Sequence, residues 1–229
     1  MRRVVTFLAL PVVLLTVWWV ASAGSTDFYQ PPLSTILGVF PETWFGPRMV
    51  DDVLPSLMRL AVGFALSLVV GVAAGVLIGT HRTLSDVTEP VLEFLRAIPP
   101  PALVPVFILI AGIDNLMKVL VIVSGCVWPV LLNTVAGVRA ADEVLADTCR
   151  AYRITGTLRL RHFLLRSASP QIVAGARQAL SIGLILMVIS ELKAASQGVG
   201  FTVRQFQTGF QIPEMWSGVL LLGIIGVVL

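Results

Sequence analysis

Three ionisable residues, Arg59, Arg96 and Glu191, stand in or beside long apolar stretches. An isolated charge at mid-membrane depth costs about 3 kcal/mol on insertion scales. Each therefore needs a partner, a water-filled path or an interface. The chemistry open to them is gating, ion coupling or contact with a solute in transit. The competing reading is a buried structural pair, or a side chain that snorkels to the surface. Arg96 lies nearest the inner surface, because it precedes Pro99, Pro100 and Pro101. Such a run frees backbone groups, which a membrane tolerates only where protein or water satisfies them. The break either lines a solute path or forms a loop at the membrane edge. Other chemistries lack their residues. There is no G-x-x-x-x-G-K-[ST], no H-E-x-x-H and no G-x-S-x-G. The chain is expected to bind no cofactor and to hydrolyse no ATP itself. His81 and His162 have no second ligand nearby and read as solvated. Cys126 and Cys149 make neither a disulfide framework nor a metal quartet.

The elements that position these residues are membrane spans. Of 229 residues, 56% are hydrophobic and 13% charged, and the mean hydropathy is +0.91. Average soluble domains are about a quarter charged, so a soluble globule is excluded. A span needs about 20 mostly apolar residues. The candidates are 4–23, 57–80, 90–113 (broken at the prolines), 116–136, 178–195 and 216–229. An all-α, polytopic fold of about six spans is expected. The last run is short for a span, and its helix is expected to continue past residue 229. The first run has a rival reading as a secretory signal ending Ala21-Ser22-Ala23. Its length and Trp18-Trp19 favour a retained helix.

With the N-terminus inside, residues 137–177 and the other inner stretches hold Arg2, Arg3, Arg82, Arg139, Arg150, Arg153, Arg159, Arg161, Arg166 and Arg177, ten of the 16 basic residues. Asp27, Glu42, Asp51, Asp52, Asp114 and Glu214 fall outside. This satisfies the positive-inside rule and reads as membrane orientation, not nucleic-acid binding. Lys193 and Arg204 read as anchors at the outer interface. Residues 24–56 read as one or two short amphipathic helices near that interface. Gly71, Gly75 and Gly79 allow close helix packing, within the subunit more readily than across a dimer.

The inner stretch 137–177 is too long for a simple connection. From Asp142 to Arg153 it reads as a helix. Val144, Leu145, Thr148, Ala151 and Tyr152 share one face, and Asp147, Arg150 and Arg153 share another. Thr155-Gly156-Thr157 breaks it, since Gly takes backbone shapes other residues resist and Thr caps a new helix. A second short helix follows with Leu158, Phe163 and Leu164 apolar and Arg159, Arg161 and Arg166 basic. Pro170 is expected to end or kink it. Two short helices at an angle make a docking knob; a basic patch lying on anionic lipid is the alternative.

At this loop the sequence resembles the permease subunits of bacterial ATP-binding-cassette importers, in the nitrate, sulfonate and taurine branch. That family's cytoplasmic motif begins Glu-Ala-Ala. Here Asp147 stands for the Glu, Thr148 and Cys149 for the alanines, Arg153 for the motif Gly, Arg166 for the first Pro, and Pro170 keeps the second. Ser56-Leu57-Met58-Arg59 with Gly63-Phe64 resembles S-L-x-R-x-x-x-G-F. Leu95-Arg96-Ala97-Ile98-Pro99-Pro100 resembles L-R-x-I-P-P. Asn133-Thr134 with Gly137-Val138, and Glu191 with Ala194-Ala195-Ser196 and Gly198-Val199-Gly200, follow the family in order and spacing.

The resemblance implies a permease core over 55–229, preceded by an N-terminal helix and external segment over 1–54. It implies a multi-pass protein of the bacterial inner membrane, paired with a second permease subunit. A cytoplasmic ATPase dimer carrying ATP and Mg would dock on the loop, and an external binding protein would deliver a nitrate-, sulfonate- or taurine-like solute or a small heterocycle. The coupling residues would be Asp147, Arg150, Arg153, Thr155, Gly156, Thr157, Leu158, Arg159 and Arg161. The path or gate would hold Arg59, Arg96, Pro99, Pro100 and Glu191. The rival function is an autonomous secondary transporter or channel that uses Glu191 for ion coupling.

Overall fold

Apolar runs of this length satisfy their backbone groups internally only as helices. In the computed structural model, which describes residues 2–229 and side chains at Leu10 and from Val12 onward, the regular structure of the described residues is helical throughout. The helices are α1 (Arg2–Ser22), α2 (Leu33–Trp44), α3 (Leu54–Thr80), α4 (Arg82–Ala97), α5 (Val104–Ala111), α6 (Asn115–Arg139), α7 (Glu143–Ala151), α8 (Gly156–Arg159), α9 (Leu165–Lys193), α10 (Val199–Thr208) and α11 (Ile212–Val228). A π-turn at Met49–Val53 leads into α3, a 3-10 turn at Pro100–Leu103 links α4 to α5, and a π-turn at Leu160–Leu164 joins α8 to α9.

Three described helices are long and apolar enough to cross a membrane: Met49–Thr80, Asn115–Arg139 and Gly156–Lys193. The bent pair Arg82–Ala97 and Pro100–Ala111, at 80°, makes a fourth if taken as one span. Val12–Ser22 and Ile212–Val228 are shorter apolar helices.

Two expectations need correction. The third candidate span begins at Arg82, not Pro90. Its polar first half belongs to an amphipathic helix that runs through Pro90, with Ser85 buried where it accepts a hydrogen bond from Arg139. The fifth is part of one helical run from Gly156 to Lys193, so the second short helix expected before it is that run's beginning, and Pro170 lies inside the helix without ending it. Ala168, two residues earlier, is buried against Gly137. In both cases packing outweighs the one backbone hydrogen bond a proline removes.

The helices sort into two compact units, one made of the chain up to Pro55 with Ser196–Val228, the other of Ser56–Ala195. In the first, Leu33, Ile36 and Trp44 of α2 are buried. The Trp44 indole N–H donates to Ser217 Oγ on α11 at 2.9 Å, and its ring meets Phe206 edge-on. Asp52 accepts the backbone N–H of Gly198 at 2.8 Å. Gly198 has φ +125°, which explains why the quoted Ala-Ala-Ser-x-Gly pattern carries glycine there.

In the second unit α6 is central. Gly63, Gly71, Gly75 and Gly79 of α3 face Ile122, Val130, Thr134 and Val138 of α6. A Cβ at Gly75 would lie 2.6 Å from the Thr134 Cβ and 2.9 Å from the Leu131 carbonyl. The glycine stripe is thus spent on packing within the chain. On its other side α6 meets α9, where Gly175 faces Asn133 and the Pro129 carbonyl and Gly183 faces Cys126.

Candidate functional site

Ser56 and Arg59 are three residues apart on α3, as are Asn115 and Lys118 on α6, and this spacing puts each pair on one helix face. Glu191 stands in the last turn of α9. These five residues come together. Arg59 Nη1 donates to Glu191 Oε1 at 2.7 Å, and its Nε donates to Asn115 Oδ1 at 2.7 Å. Ser56 Oγ lies 2.7 and 2.9 Å from the two oxygens of the same carboxylate. Arg59 is 4% exposed and Glu191 1%. A carboxylate at a helix C-terminus faces the negative end of the dipole, so Glu191 depends on the cation and the hydroxyl that α3 brings to it. Two motifs far apart in sequence, S-L-x-R and the one containing Glu191, thus build one object. The membrane cost of both charges is met by mutual pairing.

Lys118 lies beside this pair and is 2% exposed. Its electrostatic neighbours are Arg59, Glu191 and Asp114. Lys118 and Asn115 were missed at the sequence level. The only signal was an Asp-Asn start followed by a single lysine in an otherwise apolar run.

Arg96, Pro99 and Pro100 do not join this cluster. Arg96 is exposed and pairs with Glu93 of its own helix, Nε to Oε2 at 2.9 Å. Pro99 begins the turn between α4 and α5, and Pro100 approaches Gly125 of α6. Arg96 and Glu93 line a cavity of about 480 Å³ together with Trp128, Asn133 and Gln178. Here too separate motifs, L-R-x-I-P-P and N-T-x-x-G-V, contribute to one place.

The coupling residues lie in a third. Asp147, Arg150, Arg153, Thr155, Gly156, Thr157, Leu158, Arg159 and Arg161 are all exposed. Asp142 caps α7, accepting the N–H groups of Val144 (2.7 Å) and Leu145 (3.1 Å). Asp147 pairs with Arg150. The helix ends in a paired turn: Ile154 N–H donates to the Cys149 carbonyl at 2.8 Å, and Arg153 N–H to Arg150 at 3.1 Å. This closure places its pivot residue in the left-handed region, usually as glycine. Arg153 holds that position with φ +54°. It stands where the family motif has Gly, and it takes the glycine-like shape. Gly156 follows at φ +63°, so it shares the turn and does not replace Arg153. Thr155 flanks α8 without a side-chain cap. The apolar face expected on α7 is present but uncovered in the chain, with Val144, Leu145 and Tyr152 (77%) exposed, and Leu158 of α8 exposed beside it.

Apolar helices, a charge pair sealed among them and an exposed helix-turn-helix define a multi-pass transport permease. The chain belongs to the binding-protein-dependent transport system inner membrane component family, whose model matches residues 67–229. It is 29% identical to the aliphatic sulfonates transport permease protein SsuC of Bacillus subtilis, over 96% of this chain and 80% of that one. It is 26% identical to the nitrate import permease protein NrtB of Synechocystis (95% and 82%). It is 27% identical to the taurine transport system permease protein TauC of Escherichia coli (100% and 86%). The protein is therefore the permease subunit of an ATP-binding-cassette importer, resident in the inner membrane.

Proposed function

We propose that the chain crosses the membrane about six times with its N-terminus in the cytoplasm, and that α7, the turn at Arg153–Gly156 and α8 form the helix pair on which a cytoplasmic ATPase dimer docks. The observation that carries this is the run of exposed residues Val144, Leu145, Tyr152 and Leu158, rimmed by Arg150, Arg153, Arg159 and Arg161. An apolar surface with a charged rim marks a protein contact. The length of the following helix supports the same placement. Gly156–Lys193 has 38 residues, about 57 Å at 1.5 Å each, against about 30 Å of hydrocarbon. One end must stand clear of the bilayer, and the polar, arginine-rich end is the one that can.

The remaining partners are a second permease subunit, identical or not, and an external binding protein. ATP and Mg belong to the ATPase; this chain contributes the path and no catalysis. The region 55–229 acts as the permease core and 1–54 as a helix plus external segment. Arg59 and Glu191 serve as a gate-stabilising pair, and Arg96, Pro99 and Pro100 border the path. The solute is a small anion-bearing molecule of the nitrate, sulfonate or taurine kind, the class named for the relatives above.

The test is co-purification of the tagged full-length chain in mild detergent. An ATPase recovered with wild type and lost on deleting 153–160 is the expected result. A well-folded chain that purifies alone would sink the docking assignment.

A further inference from the structure

Lys118 is buried, cationic and placed where a cation is least welcome. It lies in the first turn of α6, at the positive end of that helix's dipole. A long side chain on a helix runs back toward the N-terminus, which carries the ammonium over the first turn. Among the described residues no carboxylate lies within ion-pair distance of Lys118, and none accepts a hydrogen bond from it. Glu191 is already held by Arg59 and Ser56. Within Ser56–Ala195 the buried charges are then Arg59, Lys118 and Glu191, two positive and one negative. Asp114 is nearby, but it is exposed and caps Asn115 at 2.6 Å, so solvent weakens its hold on the ammonium. Replacing such a lysine by an apolar residue of similar length should stabilise the empty protein. A residue kept at a cost to stability is the mark of a functional position.

Resting on the proposed uptake of an anionic solute, we propose that Lys118, with the first turn of α6 and Arg59, forms a receiving site for one compact monoanionic group, the sulfonate or other oxyanion head of the transported molecule. A single negative charge neutralises the buried excess. It meets three ammonium donors and N-terminal N–H groups, and it leaves the Arg59–Glu191 pair intact. The site lies where α3 and α6 begin and α9 ends, which the proposed topology puts at the outer face, where a binding protein delivers its cargo.

The test uses the full-length permease with its ATPase in detergent, in a gluconate background, with methanesulfonate as the probe. Dimethyl sulfone, its uncharged counterpart, and chloride are the controls. At about a hundredfold excess over Kd, methanesulfonate is expected to raise the unfolding midpoint of wild type by about 5 °C, and dimethyl sulfone not at all. Lys118→Met is expected to unfold at a higher temperature than wild type in gluconate and to lose the methanesulfonate shift. Glu191→Gln, which raises the buried excess, is expected to bind methanesulfonate several-fold more tightly. The proposal is overturned if Lys118→Met keeps the full shift, if Glu191→Gln binds no better, or if wild type shows no shift. A chloride shift equal to that of methanesulfonate would mark a resident halide and overturn the substrate assignment. ATPase co-purification is expected to persist in both variants, so failure here leaves the importer reading standing.

Discussion

The charges of the Arg59–Glu191 cluster and those of the α7–α8 turn obey opposite rules. In the cluster each ion is sealed, and the contacts of Arg59 and Glu191 are short and made between helices distant in sequence. In the turn the ion pair Asp147–Arg150 is local and exposed, where such a pair is worth at most about 1 kcal/mol. The cluster's charges answer to the chain's own packing. The turn's charges and its bare apolar residues have no work to do inside the chain, which is why they suit a partner. Burial with a partner and exposure without one separate what holds the subunit together from what it offers outward.

Four changes press on that contrast, one deletion and three substitutions. The largest effect on uptake is expected from deleting 153–160. ATP-driven uptake in reconstituted vesicles should fall at least about tenfold, the loss that follows when roughly 1.4 kcal/mol of coupling is removed, while the chain keeps its thermal midpoint. A fall in the midpoint as large as that of a core mutant would erase the distinction. Next is Glu191→Ala, which leaves Arg59 buried without its carboxylate and should cost about 3–5 kcal/mol. The double change Arg59→Met with Glu191→Leu should recover most of it, measured by chemical unfolding in detergent. If the double variant is as unstable as the single one, the pair is not the source of the cost. Gly75→Leu comes third. It forces side-chain atoms into Thr134 and the Leu131 carbonyl and should cost about 1–3 kcal/mol; an unchanged midpoint would mean that α3 and α6 do not pack through this stripe. The smallest is Arg153→Gly. Relief of a left-handed non-glycine residue should stabilise the turn by about 1 kcal/mol, with uptake retained. Destabilisation there would show that the turn closes in another way.

Much of the fold was legible because hydropathy and charge are local properties. The long apolar runs appear as helices, and the Thr-Gly break appears after α7, but the second short helix expected there is the start of the long run Gly156–Lys193. Boundaries were less legible. The helices running through Pro90 and Pro170 are kept by burial of Ser85 and Ala168, which a hydropathy window cannot register. At the site, Arg59 and Glu191 stood out as charges in apolar surroundings, but Lys118 did not, and Arg96 was grouped with a cluster it does not join.

The sequence by itself determined that the chain lives in a membrane and roughly where its long helices run, because each follows from the transfer cost of nearby residues. Its order of motifs also determined the family. Only the tertiary structure decided that Glu191 takes Arg59, 132 residues away, that Arg153 bends as a glycine would, and that Lys118 is left beside them with its charge unanswered. A desolvation cost depends on what packs around the group, and those neighbours come from other helices.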